Sequence, residues 1–230
     1  MLIFCLICHE ELSQQMSWSS FLLSESKACD DCYNSLIKIN SPTCPHCFRP
    51  QENEQVCQDC QTWENDHHWK NVLQKNVSVF EYNDSMKELL ATFKFRGDAA
   101  LVEVFQKDFL VSYKTNFINE KIDYMIPIPL SPERLYERGF NQAKLLADFL
   151  PLVQTDILTR THHEKQSKKS RQQRLTASNV FSIVDSSKIM NKRILLIDDI
   201  YTTGSTLRHA ARLLKENGAR TIFSLTLIRS

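Results

Sequence analysis

Ile194-Leu195-Leu196-Ile197-Asp198-Asp199-Ile200-Tyr201-Thr202-Thr203-Gly204-Ser205-Thr206 sets an apolar run, a carboxylate pair and a hydroxyl-rich turn in immediate succession. Four apolar residues in succession predict a strand buried in a parallel sheet. Two carboxylates stand at its carboxyl end. A hydroxyl-rich turn with one glycine then opens a predicted helix from Leu207 to about Asn217. In open α/β sheets, ligands bind beyond the carboxyl ends of the strands. A helix N-terminus presents free N–H groups to an anion. Thr202, Thr203, Ser205 and Thr206 add hydroxyl donors, and Gly204 lets the backbone approach a ligand closely. Asp198 and Asp199 suit sugar hydroxyls or a hydrated Mg²⁺. The ligand implied carries a phosphate beside a ribose. A plain strand–turn–helix junction has no need of two carboxylates beside four hydroxyls.

The cysteines make a second pattern. All eight fall in the first sixty residues, as Cys5/Cys8, Cys29/Cys32, Cys44/Cys47 and Cys57/Cys60, each with CxxC spacing. No positively charged leader with an adequate apolar segment opens the sequence. No apolar stretch approaches the ~18 residues of a membrane span. A cytosolic location is therefore expected, where paired cysteines favour metal over disulfide. Two knuckles complete one tetrahedral Cys₄ site, so four knuckles predict two structural Zn²⁺ ions. Sequential pairing is favoured: Cys5, Cys8, Cys29 and Cys32 around one ion, Cys44, Cys47, Cys57 and Cys60 around the other. An interleaved cross-brace and an iron–sulfur cluster are the alternatives. His9 and His46 are expected to be turn residues, because thiolates already supply four donors per metal.

The 230 residues carry a net charge of +1, which announces no nucleic-acid partner. Residues 1–75 read as the zinc module, with a short helix between Asp30 and Ile39. The polar segment Thr62–Lys75 reads as a linker whose Trp63 and Trp69 pack between domains. Residues 76–230 read as strands alternating with helices, which predicts a mostly parallel α/β sheet. Strands are expected at 77–82, 125–129, 180–183, 194–197 and 222–228. Helices are expected near 86–95, 99–113 and 139–149.

The run at 194–206 resembles the signature that binds phosphoribosyl pyrophosphate (PRPP) in type I phosphoribosyltransferases. Ile126-Pro127-Ile128-Pro129-Leu130, Arg134, Arg138-Gly139-Phe140-Asn141-Gln142, Gln166-Ser167 and the four knuckles narrow the likeness to the ComF (ComFC) family of competence-associated proteins. The resemblance implies that Asp198 and Asp199 bind the ribose hydroxyls and position Mg²⁺, as the catalytic carboxylates of any transferase chemistry. It implies that Tyr201, Thr202, Thr203, Gly204, Ser205 and Thr206 hold the 5′-phosphate. Pro129, Arg134 and Arg138 then belong to a pyrophosphate loop, and guanidinium groups match phosphate geometry with paired donors.

Arg160–Arg174 holds six Lys or Arg against one Glu. Within it Gln166, Ser167, Lys168 and Arg174 match the polar pattern of a lid that closes over PRPP and excludes water. A solvated surface loop and a contact for single-stranded DNA are the other readings. Lys94, Phe95, Arg96 and Gly97 match a further family segment, with the Lys and Arg turned to the cleft and at least one of Phe93 and Phe95 in the core. The family implies a role in natural transformation, handling incoming single-stranded DNA at the inner membrane face with a helicase-like ATPase and without membrane insertion. A metabolic phosphoribosyltransferase with an unidentified base or amine acceptor is the alternative.

Overall fold

The strand predicted at 194–197 lies inside a four-stranded parallel sheet. The computed structural model describes residues 3–12, 27–95, 98–160 and 180–230. The expectations for Arg96, Gly97, Gln166, Ser167, Lys168 and Arg174 lie outside those residues. In chain order the elements are α1 (Asp30–Asn34), α2 (Gln58–Asn65), β1 (Asn76–Glu81), α3 (Asp84–Phe95), a 3₁₀ segment Ala99–Phe105, α4 (Gln106–Phe117), β2 (Tyr124–Pro127), α5 (Pro132–Arg138), α6 (Gln142–Ala147), β3 (Leu158–Arg160), β4 (Phe181–Ile183), β5 (Arg193–Tyr201), α7 (Ser205–Glu216) and β6 (Thr221–Arg229). The sheet order is β1-β6-β5-β2, and β3 and β4 form a separate antiparallel pair.

β5 is buried on both faces, and its side chains alternate between two cores. Leu195 and Ile197 join Phe80, Met86, Phe93, Phe109, Phe223 and Leu225 under α3, α4 and α6. Ile194 and Leu196 join Ile126, Ile222 and the stripe Leu207, Ala210, Ala211 and Leu214 of α7. That stripe recurs at helical spacing and forms the buried face of the helix. Phe93 is fully buried and meets the Phe140 ring at 5.4 Å, which assigns it to the core.

The N-terminal cysteines cluster in sequence order, as Cys5, Cys8, Cys29 and Cys32, and as Cys44, Cys47, Cys57 and Cys60, with the sulfur atoms of each set within 4.8 Å of one another. All eight are free of disulfides. Cys8 Sγ lies 3.8 Å from Cys29 Sγ, and Cys47 Sγ lies 3.6 Å from Cys57 Sγ. A regular ZnS₄ tetrahedron has edges of about 3.8 Å. Backbone N–H groups aim at sulfur, from Cys29 to Cys5 Sγ at 3.3 Å and from Cys57 to Cys44 Sγ at 3.4 Å, as they do around thiolates. Both sets fit Zn²⁺, and among the described residues no histidine belongs to either.

The two centres straddle the sheet. The first packs with the core beneath α3 and α4, the second with the core beneath α7. Between them Lys38 pairs antiparallel with Phe80, Ile39 N–H donates to Val79 O at 2.9 Å, and Glu81 N–H donates to Ile37 O at 2.8 Å. The cysteine-rich segment thereby covers the outer edge of β1, which would otherwise offer unpaired backbone groups.

Several boundaries differ from expectation, each for a local reason. The helix expected to reach Ile39 stops at Asn34, because Ile37–Ile39 is claimed by the β1 edge. Residues 62–65 are helical rather than linker, as the end of α2. The helix expected at 99–113 is a 3₁₀ segment followed by α4, which continues to Phe117. The helix expected from Gly139 begins at Gln142, since Gly139 adopts φ +77° as the cap that ends α5.

Cys44→Ser is expected to retain one zinc per chain instead of two and to shift tryptophan emission to the red, because Trp63 and Trp69 are buried around the second centre. Metal analysis and fluorescence check it; retention of two zinc ions would contradict the sequential grouping.

Candidate functional site

A cleft of about 200 Å³ opens where β2 and β5 end. Its walls carry Lys94, Arg134, Arg138, Arg160, Asp198, Asp199, Thr202 and Thr206, with Ile128, Leu130 and Asn141 beneath. Four cationic side chains thus face two carboxylates in a site on the ligand-binding side of the sheet.

Each cation arrives from a different piece of local structure. Arg134 and Arg138 stand on α5, not in a loop as expected. Ser131 Oγ accepts from Arg134 N–H at 3.4 Å, Pro132 takes the first turn, and Gly139 N–H closes the end on Leu135 O at 2.9 Å. The four-residue spacing sets the two guanidinium groups on one helix face. Arg138 Nη1 donates to Gln142 Oε1 at 3.0 Å. Arg160 ends β3, with its guanidinium 5.5 Å from the centre of the Phe181 ring. Lys94, from the last turn of α3, forms an ion pair with Asp199 Oδ2. Asn141 caps α6 through Ala143 N–H at 2.9 Å and donates to Ile128 O at 3.0 Å, tying that turn to the end of β2.

Burial, then the like charge of Arg134, lowers the Arg160 guanidinium from its usual range. Burial also lowers that of Arg138, against the attraction of Asp199. Guanidinium starts so high that both stay charged. Burial foremost, then the Asp199 carboxylate beside it, pushes the Asp198 carboxyl up to about 8. Asp199 N–H, which donates to Asp198 Oδ1 at 2.9 Å, and the charges of Lys94 and Arg160 act the other way.

The expected phosphate residues divide into two groups. Thr202 and Thr206 reach the cleft. Tyr201 does not: its ring is buried under the loop, where burial raises its hydroxyl pKa. Gly204 rests on that ring with φ +77°, and a Cβ there would fall 2.1 Å from the tyrosine hydroxyl. The glycine is thus required on the inner side of the turn, against Tyr201, as well as for its left-handed backbone. Thr203 and Ser205 lie outside the cleft wall, with Ser205 N–H donating to Thr203 Oγ1 at 3.4 Å. Pro129 sits between two wall residues without being one.

Sequence reasoning placed Arg160 at the start of a polar segment and missed its position in the site. The signal was available in the apolar Ile157-Leu158 just before it, which marks a strand end. Arg229 and the loop-facing role of Trp63 were missed too. Trp63 Nε1 donates to Thr203 O at 3.0 Å, and Arg229 Nη1 donates to Tyr201 O at 3.1 Å and Thr202 O at 2.9 Å. An arginine directly after the mostly apolar run Leu225-Thr226-Leu227-Ile228 was the available sign of the second.

Two outcomes are expected for the ligand-free protein. A carboxyl pKa raised in the folded state means that the native protein binds more protons between about pH 4 and 8, so its contribution to stability falls as pH rises through that window. Asp198→Asn should therefore melt above the parent protein at pH 8, with the gap closing toward pH 4; a gap independent of pH would contradict it. Gly204→Ala should cost about 2 kcal/mol or more in denaturant unfolding, from left-handed strain and displacement of Tyr201; a neutral effect would contradict the packing described.

The Phosphoribosyl transferase domain family matches residues 117–230, which contain most of the cleft. Competence protein ComFC of Bacillus subtilis is 44% identical over 231 residues, covering 99% of this chain and 95% of that protein. Competence protein ComFC of Streptococcus pneumoniae is 34% identical over 229 residues, covering 98% and 99%. DNA utilization protein YhgH of Salmonella typhimurium is 27% identical over 222 residues, covering 90% and 92%. The parallel sheet with its carboxylate–arginine cleft and the paired Cys₄ centres are accordingly those of a chain that belongs to the ComFC family of competence proteins.

Proposed function

We propose that this chain binds PRPP with Mg²⁺ in the cleft at the ends of β2 and β5, and that it acts in DNA uptake during natural competence. The observation that carries the binding part is the apposition of Asp198 and Asp199 to Lys94, Arg134, Arg138 and Arg160. PRPP has the matching layout: a 5′-phosphate, two ribose hydroxyls and a pyrophosphate.

In this reading Thr202, Thr206 and the start of α7 take the 5′-phosphate. Tyr201, Thr203, Gly204 and Ser205 contribute through the backbone and shape of the turn, and Pro129 through the direction of the chain into α5. Asp198 and Asp199 accept from the ribose hydroxyls, and Lys94 is released from Asp199 or shared with the incoming phosphate. The three arginines take the pyrophosphate. Asp198 and Asp199 would hold Mg²⁺, which would supply charge neutralisation for the pyrophosphate; adjacent oxygen donors in an anion-binding cleft fit such an ion. The carboxylates also favour positive charge developing at C1′, so the same cleft suits pyrophosphate departure if an acceptor is present. Gln166 and Ser167 complete the proposed PRPP set.

The DNA part rests on the family and on the likeness to YhgH, a DNA utilization protein. Single-stranded DNA and a helicase-like competence ATPase are the proposed partners. Among the described residues no helix is long and apolar enough to cross a membrane, which is compatible with work at its cytosolic face. We divide the chain at 75/76 into the zinc module and the phosphoribosyltransferase-like domain.

Asp198→Asn combined with Asp199→Asn is expected to remove calorimetric binding of Mg²⁺-PRPP by at least 100-fold while zinc content stays at two. Normal affinity in that variant would overturn the site. Release of pyrophosphate from bound PRPP that depends on added single-stranded DNA or an amine would make the protein a transferase; binding without release would make PRPP an effector.

A further inference from the structure

The second Cys₄ centre and the anion loop share a set of contacts that the site's own chemistry does not require. Arg229 is almost wholly buried. Its Nη2 lies 3.6 Å from Cys47 Sγ, and its Nη1 donates to the carbonyls of Tyr201 and Thr202, and to that of Ser230. Its guanidinium also lies 4.8 Å from the centre of the Tyr201 ring, the ring on which Gly204 rests. From the other side comes Trp63, on the helix that begins just after Cys57 and contains Cys60. It donates to Thr203 O at 3.0 Å. Arg208, fully buried on α7, holds that indole in place, with its guanidinium 5.1 Å from the ring centre and its Nη1 3.6 Å from Glu64 Oε1.

Three consecutive carbonyls, of residues 201, 202 and 203, thus accept from Arg229, which touches Cys47, and from Trp63, which shares its helix with Cys60; Tyr201 O accepts also from Ser230 N–H at 3.0 Å. In a planar trans peptide the N–H points opposite to the C=O. Holding those carbonyls turns the N–H groups of Thr202, Thr203 and Gly204 away from the centre. Four thiolates around Zn²⁺ carry a net charge of −2, and the Cys44–Cys60 set is buried. Arg229 supplies a counter-charge at Cys47.

We propose that Arg229 and Trp63 are positioning residues that couple the second zinc centre to the anion loop, so that metal at Cys44, Cys47, Cys57 and Cys60 sets the affinity of the loop for a phosphate ligand. The ligand part rests on the reading of the cleft as a PRPP site; the loop part does not. Coupling of binding free energies is reciprocal, so ligand on the loop must retain zinc in the second centre. The first centre packs in the core on the opposite face of the sheet and serves as an internal control.

The test follows zinc transfer from the full chain to a chromogenic chelator, with and without saturating Mg²⁺-PRPP. The expected result is two phases, one of them slowed at least 5-fold by PRPP and the other unchanged. Cys44→Ser should lack the ligand-sensitive phase. Trp63→Phe keeps the ring and loses the N–H; Arg229→Met loses the charge. Both should hold two zinc ions, weaken PRPP about 10-fold and abolish the protection, while Arg229→Lys restores part of it. A second readout needs no ligand: amide exchange across residues 201–206 should be at least 3-fold faster in Trp63→Phe and Arg229→Met than in the parent. PRPP binding with both release phases unchanged overturns the coupling. Absence of PRPP binding overturns the PRPP reading alone, and amide exchange then decides the coupling: parent-like exchange in Trp63→Phe overturns it.

Discussion

Two adjacent carboxylates, Asp198 and Asp199, stand near the carboxyl end of a strand whose other side chains are mostly buried, and the rest of the chain has to meet their charge. Asp199 is buried and Asp198 is only partly open to the cleft. Lys94 comes from α3, Arg134 and Arg138 from α5, and Arg160 from β3. These elements enclose the end of the strand and leave between them a space bordered by opposite charges. The residual imbalance appears at Asp198, held near neutrality by burial and by its neighbour. A ligand bringing hydroxyls, phosphates and a divalent cation relieves that imbalance, which is why the cleft suits a charged sugar phosphate better than an apolar molecule.

The central strand, the turn and α7 were legible because their signals are local. An apolar run, a carboxylate pair and a left-handed glycine each act within a few residues. The residues of α5 are expected as a loop, and α6 is expected three residues too early, because Gly139 can open a turn or end a helix, and only the Ser131-Pro132 start upstream decides which. The N-terminal segment was legible as metal chemistry and illegible as architecture. Spacing of cysteines says how sulfur atoms meet around an ion. It does not say that the two centres lie on opposite faces of a sheet, or that Ile37–Ile39 between them pairs with β1. Such contacts join residues forty or more positions apart and leave no periodic trace.

The same distinction applies within the site. Residues that touch the cleft through charge, such as Lys94, Arg134 and Arg138, stand out in a sequence by type and motif. Residues that shape it from behind do not. Tyr201 belongs to the signature, yet it is the floor of the loop rather than part of its binding surface. Arg229 and Trp63 act on backbone carbonyls, which every residue has, so nothing in their neighbours' identities reveals the contact. The network Asn76, Ser78, Ser224 and Thr226 is similar: a fully buried polar set linking β1 to β6, with Asn76 Nδ2 donating to Cys47 O at 3.4 Å. It seats the second centre on the sheet with its hydrogen bonds satisfied.

The most direct measurement of the cleft's function is phosphorus NMR of Mg²⁺-PRPP titrated with the zinc-loaded chain. If the β5 carboxylates and the surrounding arginines embrace the whole molecule, the 5′-phosphate and both pyrophosphate resonances shift or broaden together, and the parent ligand competes off added pyrophosphate. Resonances that stay at their free positions with protein in excess would mean that this cleft is not a PRPP site.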